Sequence, residues 1–411
     1  MKKAGPILLL LAALLGGGSL LLKGHRSSPD VPAPPVVWKD SLNRSLTNEM
    51  SSLPRMDAVV DSFLNFWSIH GASLAVSRND SLLYARGYGM ADSQTPMTPG
   101  TTLRLASVSK LLTAVGIMRL QEQGKLFLET PVFGPLGVLN QYDSYIHDEN
   151  YYLITVEHLL RHQAGFTARG GDPVFSPYPS LDALLRKQLG RRLYFEPGTW
   201  QEYSNLGFLL LSLIIEKVSG KPYETFMQEE VFGPALCRDF RIAGNYLEDR
   251  HPGESRYYMQ PDAERCASFD GRFASVEKCY GGNDIAGSKG AGGWTGSAPE
   301  LARLVACIDG KGPVEDILDP FSVRQMTTWY DPDTFSLGWN DTKPDGEWTR
   351  SGSFSGTQAL IKTYPDGECW ILVCNTSAWR GSRFAHNIAA LFKDLRSRFS
   401  GDLPRRDLFR Q

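Results

Sequence analysis

The chain has 411 residues, 42% hydrophobic and 21% charged, an ordinary globular composition with apolar surface for a large core. Its 43 Lys and Arg nearly balance 45 Asp and Glu, so it carries neither the basic field that holds nucleic acid nor an acidic tail. One compact unit rarely grows past about 250 to 300 residues, so two lobes are expected.

The opening residues, MKKAGPILLLLAALLGGGSLLLKGHRSS, set Lys2 and Lys3 before an uncharged run from Ala4 to Leu22. A helix of that length rises roughly 28 Å, close to the hydrocarbon thickness of a bilayer. Residues 1–25 therefore read as a membrane anchor through residues 4–22, or as a cleaved signal peptide. Either reading exports the body to a periplasmic or other extracytoplasmic compartment. No cysteine precedes Cys237, which excludes a lipid-modified cysteine just after the run. Residues 26–53 are rich in Pro, Ser and Asn and read as a linker.

Helical spacing starts near Pro54, with Val59, Phe63 and Phe66 on one stripe, and stops at Gly71. Two strand-like runs, ASLAVSR and LLYARGY, follow and are joined through Asn79 and Asp80 as a hairpin. From about residue 107 to 310 the pattern is mostly helical, with Thr155, Ser180, Ser204 and Ser297 as N-caps and Glu300 completing a capping box. Residues 246–296 are Gly-rich and poorly periodic, and read as loop. Strands return as FSLGWN, EWTRSG, TQALIKTY and ECWILVCN, the last two joined by Pro365, Asp366 and Gly367. A helix from about Ser382 to Phe399 closes the domain, and residues 401–411 read as a tail.

This order predicts an α+β fold within residues 54–400. An antiparallel sheet is built from N- and C-terminal strands and flanked by terminal helices, and a mostly helical lobe is inserted between them. The cleft between the lobes is the natural place for a site.

Ser107 and Lys110 stand three apart at the head of the apolar run SVSKLLTAVGIM, so on a helix their side chains share one face. Ser109 points elsewhere. Ser107 then sits at the N-terminus of a buried helix, where backbone N–H groups favour developing negative charge. That makes it a candidate nucleophile with Lys110 its candidate activator. The same spacing at Ser275 and Lys278 has no buried helix behind it and reads as chance.

Two motifs sharpen the reading. YSN at Tyr203 to Asn205 opens an apolar helix, and RSG at Arg350 to Gly352 ends a strand-like run. The order of Ser-x-x-Lys, Tyr-x-Asn and a cationic strand motif resembles the β-lactamase and D,D-peptidase superfamily of serine-acylating, penicillin-recognising enzymes. The likeness is nearest to class C enzymes and related serine hydrolases and esterases. It extends from about Asp57 to Leu395 through TTLRLASVSK, TVEHLLRHQAGF, FEPGTWQEYSN and GAGGWTGSAPELARL.

The resemblance implies that Ser107 attacks a carbonyl and that Lys110 takes or shuttles its proton. It implies that Tyr203 helps proton transfer to the leaving group, and that Asn205 holds substrate amides and Lys110. Arg350, Ser351 and Gly352 would meet the substrate carboxylate, and the N–H groups of Ser107 and Ser353 would form the oxyanion hole. Lys and Tyr are both protonated at pH 7, so either needs its pKa lowered by roughly three units to serve as a ready base. Burial does this for lysine, whereas tyrosine needs nearby positive charge. The residues permit both bases. Arg350 departs from the usual Lys or His of the third motif: it keeps the charge but cannot donate a proton as histidine can.

The expected activity is an exported serine hydrolase acting on a peptide or amide with a nearby carboxylate, such as a D-alanyl wall peptide or a β-lactam. The alternatives are an esterase or D-aminopeptidase of the same fold, and a catalytically silent wall-peptide-binding protein. No cofactor, metal or nucleic acid is implied. The partners expected are a small substrate and a membrane, the latter if the leader is retained. His158 and His162 lack the glutamate of a zinc-protease motif. Of six cysteines, Cys266 and Cys279 are the first pair to test for a bridge, against the plainer reading of six small buried hydrophobes.

Overall fold

The structure, a computed structural model, describes residues 42–169, 171–175, 177–328 and 334–410. The anchor or signal-peptide reading of residues 1–25 lies outside them, as does most of the linker. Among the described residues no helix is long and apolar enough to cross a membrane.

The hairpin and the terminal strands form as their patterns require. β1 (Gly71–Arg78) and β2 (Ser81–Gly89) turn through Asn79 and Asp80, whose φ values of 47° and 61° are those of the tight turn that matches strand twist. The two-residue strands β3 (Leu103–Arg104) and β4 (Arg241–Ile242) join β5 (Trp294–Gly296) in a small sheet of order β3-β5-β4. The C-terminal part supplies β6 (Asp341–Thr342), β7 (Trp348–Phe354), β8 (Thr357–Thr363) and β9 (Glu368–Cys374). The main sheet runs β2-β1-β9-β8-β7-β6, all antiparallel, with Ala75 opposite Ile371 where the two ends of the chain meet.

Helices α1 (Leu42–Ser45) and α2 (Pro54–Phe66) precede the sheet, and α11 (Phe384–Phe399) follows it. Between them lie α3 (Ser109–Glu122), α4 (Val156–Leu160), α5 (Leu181–Leu189), α6 (Asn205–Ser219), α7 (Tyr223–Met227), α8 (Ile285–Ser288), α9 (Ala298–Ala306) and α10 (Pro320–Thr327). Alternation along the strands splits the core in two. Leu74, Val76, Leu360, Trp370 and Leu372 face α2 and α11. Ala75, Ala359, Ile361, Ile371 and Val373 face α3, α6 and α9. The expected α+β architecture is the observed one.

Several local expectations are corrected. On α2 the buried stripe is Met56, Val60 and Leu64, one residue off the predicted one, and Phe66 is 78% exposed. FSLGWN does not form a strand, because Gly338 takes φ +85° against Leu111 and Ala114 and turns the chain. The linker reading fails from Leu42 onward: Leu42 and Leu46 are buried in the core. Asn43 Nδ2 also donates to Asp239. The tail reading fails as well, since Leu408 is buried and Asp407 accepts the N–H of Leu82 on β2. Glu300 is buried, but its carboxylate accepts from the N–H groups of Arg238 and Asp239, leaving only the Ser297 half of the capping box. All six cysteines are free thiols, Cys266 and Cys279 included.

Candidate active site

The residues before Ser107 are held from two sides. β3 pairs with β5, and Leu105 N–H donates to Trp294 O at 2.8 Å, so the chain enters α3 through a tight turn over Ala106–Val108. Ala106 pays for that turn with φ +47°, a strained value for a residue with a Cβ. Ser107 is left partly exposed at the head of a helix whose residues from Ser109 to Met118 are all buried. Ser109 does point elsewhere, its hydroxyl accepting Trp294 N–H.

Lys110, one turn on, is fully buried, and three oxygens surround its amine. Asn205 Oδ1 and Ala291 O accept at 2.5 Å each, and Ser107 Oγ lies 3.2 Å away. A neutral amine has two N–H groups and one lone pair. With both N–H groups directed at the two carbonyls, the lone pair is the part left facing Ser107. Tyr203 comes from the extended stretch before α6, whose first turn is capped by Ser204. Its hydroxyl lies 2.7 Å from Ser107 Oγ, and its ring sits 4.9 Å from Lys110 Nζ.

Electrostatics follow from this packing. Burial, reinforced by Arg350, holds Lys110 below its ordinary value, although Tyr203 and Asp172 pull the other way. For Tyr203 burial would raise the phenol, but the charges of Lys110 and Arg350 outweigh it and the net direction is down. Neutral amine with phenol and ammonium with phenolate hold the same number of protons, so the pair can exchange one across Ser107.

β7 closes the site. Gly352 packs on the Ser107 turn so closely that a Cβ there would lie 2.3 Å from Leu105 O and 3.1 Å from Ser107 N. Ser351 N–H points away from β8 to Asn340 Oδ1 at 2.7 Å, and Ser351 Oγ donates to the same atom. Two residues on, the N–H of Ser353 points to the same edge, beside the Ser107 turn. One expectation is corrected here: Arg350 is not an open carboxylate clamp. It is 1% exposed, and Nε and Nη2 both donate to the backbone carbonyl of Ser107, Nε at 2.8 Å.

Groups outside the sequence motifs complete the site. Asp172 Oδ2 accepts from Asn205 Nδ2 at 2.6 Å, and its loop carries Phe175, whose ring meets Phe354 of β7 at 4.8 Å. Asp172 had no readable signal, since it stands in a Gly-rich stretch without periodicity. His162 packs its ring 4.5 Å from that of Tyr203 and accepts Ser204 N–H on Nδ1; burial and the nearby cations hold it neutral. His158 instead turns to cap α4 with Thr155. Among the described residues no group of His, Cys, Asp and Glu is arranged to hold a metal ion. Ser275 accepts from Arg265 on an exposed loop, far in character from Ser107.

Comparison with known proteins gives the family and the fold. A family model described as Beta-lactamase matches residues 56–393. Esterase EstB of Burkholderia gladioli is 28% identical over 275 residues, 62% of this chain and 69% of the esterase. Penicillin-binding protein 4* of Bacillus subtilis (strain 168) is 31% identical over 216 residues, and the match spans only 44% of it and 47% of this chain. The D-amino acid amidase of Ochrobactrum anthropi SV3 superposes with a TM-score of 0.65 at 20% identity, covering 84% of this chain and 98% of the amidase, a likeness of fold alone.

Proposed function

The chain belongs to the Beta-lactamase family of serine hydrolases, and from that premise we propose that it cleaves small esters or amides through a covalent acyl-enzyme on Ser107. The observation that carries the reading is the convergence of Lys110 Nζ and Tyr203 Oη on one serine oxygen.

Ser107 Oγ attacks the substrate carbonyl carbon and its proton passes to the Lys110–Tyr203 pair. The oxyanion is received by the N–H groups of Ser107 and Ser353, aided by the N-terminal end of α3. Collapse breaks the bond to the leaving group, which takes the proton from Tyr203. Water then gives a proton to the same pair, attacks the acyl carbon and releases the acid and Ser107. Arg350 supports the step from beneath by fixing the Ser107 carbonyl and by favouring the phenolate form of Tyr203.

The engagement of Arg350 favours acyl groups that need no carboxylate clamp over D-alanyl peptides and β-lactams. The likeness to an esterase over most of that protein's length points the same way. The uncharged run at residues 4–22 supports an exported, tethered position. Intact-protein mass spectrometry after exposure to a fluorophosphonate, a p-nitrophenyl ester and a penicillin tests the chemistry. Adduct mass on Ser107, rapid ester turnover and slow or absent penicillin acylation are expected. No adduct with any probe, with ligand binding intact in Ser107→Ala, would replace the enzyme with a binding protein.

A further inference from the structure

We propose that Asp172 is a positioning residue for this reaction: its carboxylate decides which way the Asn205 amide faces and holds a negative charge one side chain away from Lys110. The inference rests on the Ser107 reading and adds to it the group that sets the proton balance of the base.

An asparagine amide presents an acceptor on one side and two donors on the other. Lys110 needs the acceptor, because its own N–H groups point at Asn205 and Ala291. A flipped amide would set donor against donor in a buried place, a costly arrangement. Asp172 Oδ2 accepts only from Nδ2, so its presence at 2.6 Å selects the orientation that turns Oδ1 to Lys110. The carboxylate is itself fixed. Its Oδ1 accepts Val174 N–H at 3.0 Å, and the Asp172 carbonyl accepts Phe175 N–H at 3.2 Å. The stretch before it is pinned on the other flank of Tyr203, where Glu202 Oε1 accepts from Thr167 Oγ1 at 2.6 Å and from Ala168 N–H at 3.1 Å. Both neighbours of the Tyr-Ser pair thus hold the same loop.

The charge matters as well as the hydrogen bond. The groups acting on Lys110 are the Tyr203 phenol, the Arg350 guanidinium and the Asp172 carboxylate, with the His162 ring, kept neutral, behind Tyr203. Arg350 and burial favour the free amine, and Asp172 opposes them. Asp172 therefore offsets part of the shift that burial and Arg350 impose on the amine, and so favours its taking up a proton.

The test uses the full chain with lysine labelled by ¹³C at Cε, the Lys110 signal being the one that Lys110→Arg removes. Asp172→Asn should lower the Lys110 midpoint by about half a unit or more, because a stabilising negative charge is lost. The acid limb of Ser107 acylation by a p-nitrophenyl ester should move to lower pH by the same amount, with the melting temperature held. Asp172→Ala should add a pH-independent loss of acylation rate, since it also frees the Asn205 amide. Asp172→Glu should recover part of the shift. A Lys110 midpoint unmoved in both neutral variants, or one that rises, overturns the inference. A midpoint that falls in a protein that never acylates would sink the hydrolase reading and leave the role of Asp172 standing.

Discussion

Tyr203 Oη stands 2.7 Å from Ser107 Oγ, while Lys110 Nζ stands 3.2 Å from the same oxygen, so both candidate bases address one nucleophile from different elements. Neither is a base alone: burial and the charge of Arg350 bring Lys110 down against the pull of Tyr203, while the charges of Lys110 and Arg350 bring Tyr203 down against its burial. Tyr203→Phe should therefore lower ester turnover by about 100- to 10,000-fold, the usual range for a lost proton-transfer group. If deacylation needs the phenol more than acylation does, the acyl-enzyme will accumulate in the variant. Stopped-flow burst analysis with mass spectrometry reads both steps. A variant with unchanged turnover would remove Tyr203 from the mechanism.

Arg350→Met keeps much of the side-chain length and removes the charge. Without that cation both Lys110 and Tyr203 hold their protons to higher pH, so the acid limb of the rate profile should shift upward. Because the guanidinium is bound to the Ser107 carbonyl rather than open to the cleft, the loss in kcat/KM should be alike for esters with and without a carboxylate. A loss confined to carboxylate-bearing substrates would restore the clamp.

Gly352→Ala would put a methyl group 2.3 Å from Leu105 O, so β7 and the Ser107 turn must separate. A displacement of that kind next to the reacting atoms costs on the order of 100-fold in rate. Kinetics beside a thermal melt would show it as a fall in activity larger than the change in stability accounts for. Wild-type rates in the variant would mean that the turn relaxes freely.

Burial pushes the Glu300 carboxyl up to about 7, against the N–H groups of Arg238 and Asp239, which favour its charged form. Its folded value lies above the ordinary 4.5, so folding takes up a proton between those values. The contribution is complete below about pH 4.5 and is lost as pH rises through about 7. Between pH 5 and 8 the melting temperature of the wild type should therefore fall relative to that of Glu300→Gln. Parallel curves for the two proteins would show that Glu300 ionises as it does in the unfolded chain.

Much of the architecture was legible because its signals are local. Short apolar runs bounded by turn residues, as in ASLAVSR and TQALIKTY, mark strands wherever they lie, and Ser180 and Ser204 cap their helices by bonding N–H groups three residues ahead. The three motifs named Ser107, Lys110 and Tyr203 in advance, and the folded chain brings them within hydrogen-bonding distance. Short-range patterns could not say that residues 42–53 pack on the core, since Leu42 and Leu46 find partners only from distant elements.

What the sequence by itself determined was the kind of fold and the identity of the candidate reacting groups, because helix and strand periods and residue chemistry are properties of neighbours along the chain. The tertiary structure alone decided what surrounds those groups. Arg350 could have faced substrate or the Ser107 carbonyl, and in the folded chain it bonds the carbonyl, two residues along β7 from the Gly352 that packs on the same turn. Asp172 and the Ala291 carbonyl reach the base from positions 62 and 181 residues beyond Lys110 in the chain. Their contribution depends on distance and burial through space, which no spacing of letters encodes.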